Sequence, residues 1–387
     1  MHFILAALFA FAILTLWVPG YWPVSVFQAG IFALCAWVMW RRPPSRIPYP
    51  AIPLALAVLW GLAQVGFGLT AYAFDTETAT VRWATFLAVF LIGFSLFSDS
   101  DVRRWFRLAM LWFAFIVSIV AMLQTFTSPD RIFWYFPTEY NRVMGPILSP
   151  NHWAAFVEAV LPMALYEAFR QDRKSLLYSG MAAALYASVI ASSSRAGTVL
   201  CSAEIVAVAL VMAARGFTGG REIGGAFLRM LVIFAAFTAC VGWEHIWDRF
   251  WQPDPMRLRH EFNISSVHMI EAHPLTGTGL GTWPTVYPRY AIIDVGVFAN
   301  QAHSDWLQFT AEGGVLFGLA AFSLFLWSLR PAFSSVWGIG VVAVFLHAFV
   351  DYPFSRPALG SWFILVIAML AARNATRTAE IGAEVSR

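Results

Sequence analysis

An arginine and a histidine stand where apolar runs of this sequence are interrupted, and together they offer a fork of hydrogen-bond donors and a base. Arg195 lies in Ser192-Ser193-Ser194-Arg195-Ala196-Gly197, a turn so short that its guanidinium must stay near the level of its apolar neighbours. At membrane depth an unpaired charge costs at least ~2.5–3.5 kcal/mol. Such an arginine either snorkels or finds an ion-pair partner at a helix end, or it is a bidentate receptor for phosphate. His303 opens another apolar run, followed by Ser304 and Asp305, either of which can cap a helix. A lone histidine at a helix end is as readily structural as functional, but with an unperturbed pKa of about 6.5 it is also the side chain best suited to take a proton from a hydroxyl.

The remaining candidates gather largely in the polar stretch from Glu244 to Gly314. It carries Arg257, Arg259 and Arg289, then Gly277, Gly279 and Gly281 in a Gly-x-Gly-x-Gly pattern after His273-Pro274. As a nucleotide fingerprint this is weak, because no strand-turn-helix unit surrounds it; the glycines permit a tight reversal or a nest of backbone donors for an anion. Elsewhere, Asn151-His152 precedes an apolar run, Glu158 and Glu204 lie inside such runs, and His347 and Asp351 are spaced to share one helix face. Each of these reads equally as a helix cap, a structural hydrogen bond or an ion pair. No His, Cys and carboxylate spacing suits a metal, and no Gly-x-Ser-x-Gly elbow supplies a serine nucleophile.

The elements that must position these residues are membrane helices. In 387 residues the content is 59% apolar and 12% charged, far from the soluble average of roughly 45–50% and 25%. A net charge of +3, dispersed along the chain, does not suggest nucleic acid. Cys35, Cys201 and Cys240 all fall in apolar runs, where a thiol behaves as a small hydrophobe. Runs long enough for a bilayer core predict an all-α polytopic protein with about twelve transmembrane helices. They cover roughly 3–18, 22–40, 51–69, 82–97, 105–126, 151–169, 176–193, 198–214, 226–243, 306–329, 334–350 and 358–372.

The first run lacks a basic n-region and a small-residue cleavage site, so it is expected to be retained as a span. Most Lys and Arg of the short connections fall on one side of this alternation, at Arg41, Arg42, Arg46, Arg103, Arg104, Arg107, Arg170, Arg173, Lys174 and Arg215 among others. That side is expected to be cytoplasmic, with both termini, and the long loop outside. The expected organisation is helices over 1–243, an external loop acting as an active-site lid over 244–305, further helices over 306–372 and a tail over 373–387.

Several of these segments together resemble the bacterial O-antigen ligase and polymerase superfamily. They are Ser149-Pro150-Asn151-His152, Ser193-Ser194-Arg195-Ala196-Gly197, His273-Pro274-Leu275-Thr276-Gly277-Thr278-Gly279, His303-Ser304-Asp305-Trp306-Leu307-Gln308 running on to Gly313-Gly314, and His347 to Pro353. The resemblance implies a glycosyltransferase-C-like fold in the bacterial inner membrane. It also implies metal-independent, inverting transfer of a polysaccharide from undecaprenyl diphosphate to an acceptor hydroxyl such as that of lipid A-core, on the periplasmic face. The family's catalytic histidine falls on His303, its membrane-edge arginine on Arg195 and its loop arginine on Arg259, with Arg257 and Arg289 near enough to compete. Asn263 occupies the usual place of the aromatic residue that follows the loop arginine, and Phe262 is its neighbour. Asn151, His152, Asp305, Gly277, Gly279, Arg257 and Arg289 are expected to contact substrate, with no metal and no cofactor.

Within that superfamily a polymerase or a protein O-oligosaccharyltransferase would carry the same residues. A transporter is the competing class, but the sequence lacks the paired short, Gly/Pro-broken segments that inverted repeats would show. A purely structural scaffold leaves Arg195 without a reason.

Overall fold

The computed structural model describes every residue except 45, 141–142, 171–172, 217–223, 226–227, 229–231, 233–255, 294–295, 297 and 386–387, and describes the backbone alone at 256–258 and 379–385. The expected span 226–243, the first part of the expected loop, Arg142 and the side chain of Arg257 therefore lie outside the described residues. Among those described, seven helices are long and apolar enough to cross a membrane. The chain divides into two compact units.

The first unit takes residues 1–30, 96–252 and 329–344. Its helices include α1 (His2–Leu14), α5 (Ser100–Thr127), α6 (Pro150–Glu158), α7 (Leu161–Phe169), α8 (Ser175–Ser192) and α9 (Arg195–Ala214), and a short antiparallel pair, β1 (Arg131–Ile132) with β2 (Phe136–Pro137), follows α5. The expected span 151–169 is not one helix. Pro162 has no N–H and its ring would collide with the carbonyl of Glu158, so the helix breaks at Ala159-Val160 and restarts with proline in the first turn, where a missing donor costs nothing. Polar pairs knit this unit: the Trp153 indole donates to Ser188 Oγ (3.2 Å), and Arg107 on α5 meets Glu167 on α7 in a buried ion pair.

The second unit takes 31–95, 253–328 and 345–387. Its helices are α3 (Ala51–Gly66), α4 (Ala73–Leu96), α10 (Met256–Ala272), the single turn α11 (Trp283–Val286), α12 (Asp305–Gly313) and α15 (Pro357–Val385). α2 (Trp22–Arg41), α13 (Val315–Ser335) and α14 (Gly340–His347) cross the unit limits, and α4 passes one by a single residue. Three expected stretches differ in detail here. The stretch 244–305 is expected as a loop, yet it carries the 17-residue helix α10. The run 306–329 is interrupted at Gly314, whose φ of +81° suits glycine alone, so α12 ends before α13 begins. Similarly, the run 334–350 contributes only the eight residues of α14, after Val336 turns the chain with φ +66°.

Gly277 shows why the loop before α11 must be glycine-rich. Its φ is +65°, and a Cβ there would lie 2.2 Å from the backbone oxygen of Glu312. Left-handed backbone alone costs an L-residue roughly 1–2 kcal/mol. Gly277→Ala is therefore expected to lower the apparent unfolding temperature and the membrane abundance of the protein. Gly180→Ala, on α8 with open space around its Cβ position, is expected to match wild type or exceed it slightly, as helix propensity dictates. Equal thermal stability of the two variants in detergent would contradict the tight docking of this loop.

Candidate active site

In the first unit the Ser-Ser-Arg-Ala-Gly motif is a helix-to-helix corner. Ser193 ends α8 in left-handed conformation (φ +61°), Ser194 caps α9 by accepting from the N–H of Gly197, and Arg195 is the first helical residue. Gly197 is required by contact, since a Cβ would sit 2.2 Å from that of Ala154 on α6. This close approach lets the hydroxyl of Ser194 donate to Asn151 Oδ1 (2.7 Å). Asn151 and Arg195, far apart in sequence, thus flank one hydrogen bond, while His152 is buried in the first turn of α6. Glu158 and Glu204, which no sequence spacing links, lie within electrostatic reach of each other.

In the second unit His303 is the centre. It has φ +54°, a conformation uncommon outside glycine, which costs of order 1–3 kcal/mol and persists only where the surroundings enforce it. Its ring stacks on Phe262 (centroids 5.9 Å, planes 11° apart) and meets Tyr352 edge-on at 4.9 Å. Nδ1 is buried and has no hydrogen-bond partner among the described residues. Ser304, not Asp305, caps α12, by accepting from the N–H of Leu307. Arg259, on α10, pairs with Asp351 Oδ2 at 3.5 Å and is about a quarter exposed at 24%. Burial pushes the imidazole of His303 below its ordinary value, Asp351 opposes that shift and Arg259 adds to it.

Three expected substrate contacts are engaged within the fold instead. Asp305 is fully buried, and its oxygens accept from the N–H of Phe354 (2.9 Å) and the hydroxyl of Ser355 (3.2 Å), so it braces the turn after α14. Nor do Gly277 and Gly279 form a nest open to a ligand: their N–H groups donate to His273 O and Glu312 O. The donors that follow hold a carboxylate of the chain itself, with Gly281 and Trp283 giving N–H bonds of 2.8 and 3.2 Å to Glu312. Arg289 is exposed at the end of a 3-10 turn, Tyr287–Arg289. Among the described residues no three of His, Cys, Asp and Glu gather as a metal-binding group.

Residues 180–323 match the family model described as O-Antigen ligase. Over that segment the chain resembles the O-antigen ligase superfamily. The matched segment holds Arg195, Arg259 and His303. No curated protein matches the chain. The seven long apolar helices among the described residues are those of a multi-pass membrane protein.

Several residues of the ligase-like site escape a sequence reading. Glu261 is buried on α10 and accepts from the Tyr287 hydroxyl and the N–H of Ile292, tying down the segment that bears Arg289. Gln64 on α3 donates to Thr276 O and Glu312 O and accepts from Leu280 N–H. Arg82, on α4, donates to Ser355 O at 3.1 Å. An arginine within an apolar run was the available signal for the last; a buried glutamine or glutamate has none.

These environments give a sign for His303. Asp351 is what holds its pKa up, so Asp351→Asn removes that support and leaves the lowering by burial and Arg259 unopposed. The pH at which His303 becomes half-reactive toward an imidazole-acylating reagent, followed by mass spectrometry of its peptide, should lie below the ordinary histidine value in wild type and lower still in Asp351→Asn. An upward shift in the variant would contradict the arrangement.

Proposed function

We propose that the protein is a glycosyltransferase of the ligase type. It moves a polysaccharide from undecaprenyl diphosphate to an acceptor hydroxyl, that of lipid A-core, at the periplasmic face of the inner membrane, with both termini cytoplasmic. The observation that carries this reading is the clamped histidine: a strained, aromatic-stacked His303 with an unpartnered buried nitrogen, beside a partly exposed arginine, inside the segment that matches the O-antigen ligase family.

In the proposed step the acceptor oxygen attacks the anomeric carbon, the bond from that carbon to the diphosphate oxygen breaks with inversion, and the hydroxyl proton passes to His303. A neutral imidazole is the competent form, which its lowered pKa favours at neutral pH. Negative charge grows on the leaving diphosphate as the bond breaks. Fixed guanidiniums on those oxygens stabilise the transition state more than the ground state, the role assigned to Arg195 and Arg259. Asp351 holds one edge of Arg259 and orients the rest of the fork, and Asn151 and His152 stand beside Arg195 as further contacts for the donor. Phe262 and Tyr352 fix the plane of the imidazole. Arg289 and Arg257 remain candidates for contacts to the glycan.

Purified protein given a polyprenyl-diphosphate-linked glycan and lipid A-core tests the assignment. His303→Ala should lose on the order of 10²–10⁴-fold in rate, and Arg195→Ala should abolish transfer at normal abundance. Arg259→Lys should also be damaging, because a point charge replaces a bidentate fork, while EDTA should leave the rate unchanged. Near-normal transfer by Arg195→Ala would sink the diphosphate assignment. Glycan lengthening on the carrier in place of appearing on lipid A-core would identify a polymerase.

A further inference from the structure

Arg82, like Arg259, stands near buried carboxyl groups of the second unit, and nothing in the reaction just described uses it. It lies partly buried on α4 and donates from Nη1 to the backbone oxygen of Ser355 at 3.1 Å. Asp305 and Glu312, 0% and 1% exposed, are the anions whose charge it faces, and Arg356 is a second cation nearby. From Ser355 the connections run directly to the site. The Ser355 hydroxyl lies 3.2 Å from both Gln301 Oε1 and Asp305 Oδ1, and the next N–H back, that of Phe354, donates to Asp305 Oδ2. Gln301 and Asp305 are the residues two before and two after His303. The N–H of Asp305 in turn donates to Ala348 O and Asp351 O, tying the same short segment to the partner of Arg259.

We infer that Arg82 is a positioning residue for His303: through Ser355 it clamps the segment 301–305 that holds the imidazole in left-handed backbone. The energetics favour this assignment over a passive one. Removing the Arg82 donor leaves the Ser355 carbonyl, in the turn that holds Asp305, without this hydrogen bond, and a part-buried acceptor left unsatisfied is costly. Left-handed His303 has no intrinsic reason to persist, so a loosened clamp lets the ring leave its stack on Phe262. A misplacement of about 1 Å in a reacting group costs on the order of 10²-fold in rate. The effect falls on kcat, since Arg82 touches neither donor nor acceptor in this scheme.

The inference rests on His303 as the base, so the test carries His303→Ala beside it. In the purified full chain, Arg82→Gln is expected to lower kcat at least about tenfold with the donor KM within about twofold. It should also raise the rate at which His303 is acylated, read on its own peptide and independent of turnover. Arg82→Lys, which keeps the charge, should recover part of kcat and of the protection. Should Arg82→Gln fail to accumulate, Ser355→Ala, which removes only the hydroxyl link, is expected to give the same pattern in milder form. Wild-type kcat and wild-type His303 labelling in Arg82→Gln, or in Ser355→Ala if that variant stands in, would overturn the inference. So would a rise in donor KM at constant kcat, which would mark Arg82 as a donor contact. If His303→Ala itself transfers glycan normally, the proposed function fails instead, and the labelling experiment still reports on the clamp.

Discussion

Backbone that leaves helical geometry at membrane depth has no water to bond, so each break in a helix must be satisfied by protein. This constraint shapes the second unit. At the break between α12 and α13 the carbonyls of Ala311 and Glu312 accept from Gln64 and from the N–H groups of Thr278 and Gly279, while the carboxylate of Glu312 takes up the N–H groups of Gly281 and Trp283. At the start of α12 the same task falls to Asp305, which accepts from Phe354 N–H while its own N–H reaches Ala348 O and Asp351 O. His303 is strained because it sits immediately before that second joint. A continuous helix through 303 would have been cheaper and would have turned the imidazole with the helix, so the irregular backbone is what aims the ring.

How much of this is legible without coordinates follows from which signals are local. Hydropathy reveals membrane helices, because a run of apolar residues is a property of neighbours in sequence. It does not reveal where a run breaks, and the segments 151–169 and 306–329 each hide an interruption behind uniform apolarity, one announced by Pro162 and the other by Gly314. Among the site residues, Arg195 is conspicuous since it stands alone in an apolar context. Arg82 satisfies the same test but falls at the edge of the run 82–97, where an arginine reads as a flank. Asp305 is misread for a related reason: next to a histidine at a helix start a carboxylate suggests a cap or a ligand contact, whereas its partners lie some fifty residues away in the turn after α14. The glycines between 277 and 281 are correctly a tight reversal, yet the anion they receive is Glu312, which only the fold brings to them.

Charge in the second unit alternates in a way that separates structural from available cations. Arg82 lies within electrostatic reach of Asp305 and Glu312 and spends a donor on Ser355 O, holding the segment together. Arg259 faces one, Asp351, at a distance of 3.5 Å that is long for a strong charge-assisted bond. Its guanidinium keeps donors free and keeps part of its surface exposed. Imidazole lies between these two situations. Asp351 offsets the cost of charging it and Arg259 restores that cost, which leaves a ring able to accept a proton and give it up again. Placing one carboxylate within reach of both groups couples their electrostatics, so a ligand phosphate that draws on Arg259 would be felt at His303 as well.

The choice of Arg259 over Arg289 as the loop cation follows from helix geometry. Arg259 and Phe262 are three apart on α10 and therefore share a face. One is paired with Asp351 and the other stacked on His303, so a single rigid helix presents both the cation and the platform for the ring. Phe262 is itself held by Trp283 and Tyr287, and Tyr287 is anchored by Glu261 from the next position on α10. Arg289 stands at the end of a 3-10 turn and exposed, so its reach is set by a flexible side chain and not by a packed element. The aromatic position one residue earlier than the family's usual spacing also finds its reason here. Offsets of three and four both lie on the face of Arg259, and Asn263, one step further round, leaves its Oδ1 buried without a partner among the described residues. A group that must hold a developing charge to within a few tenths of an ångström is better carried on a helix, which in the proposed reaction favours Arg259 for the diphosphate and Arg289 for the glycan.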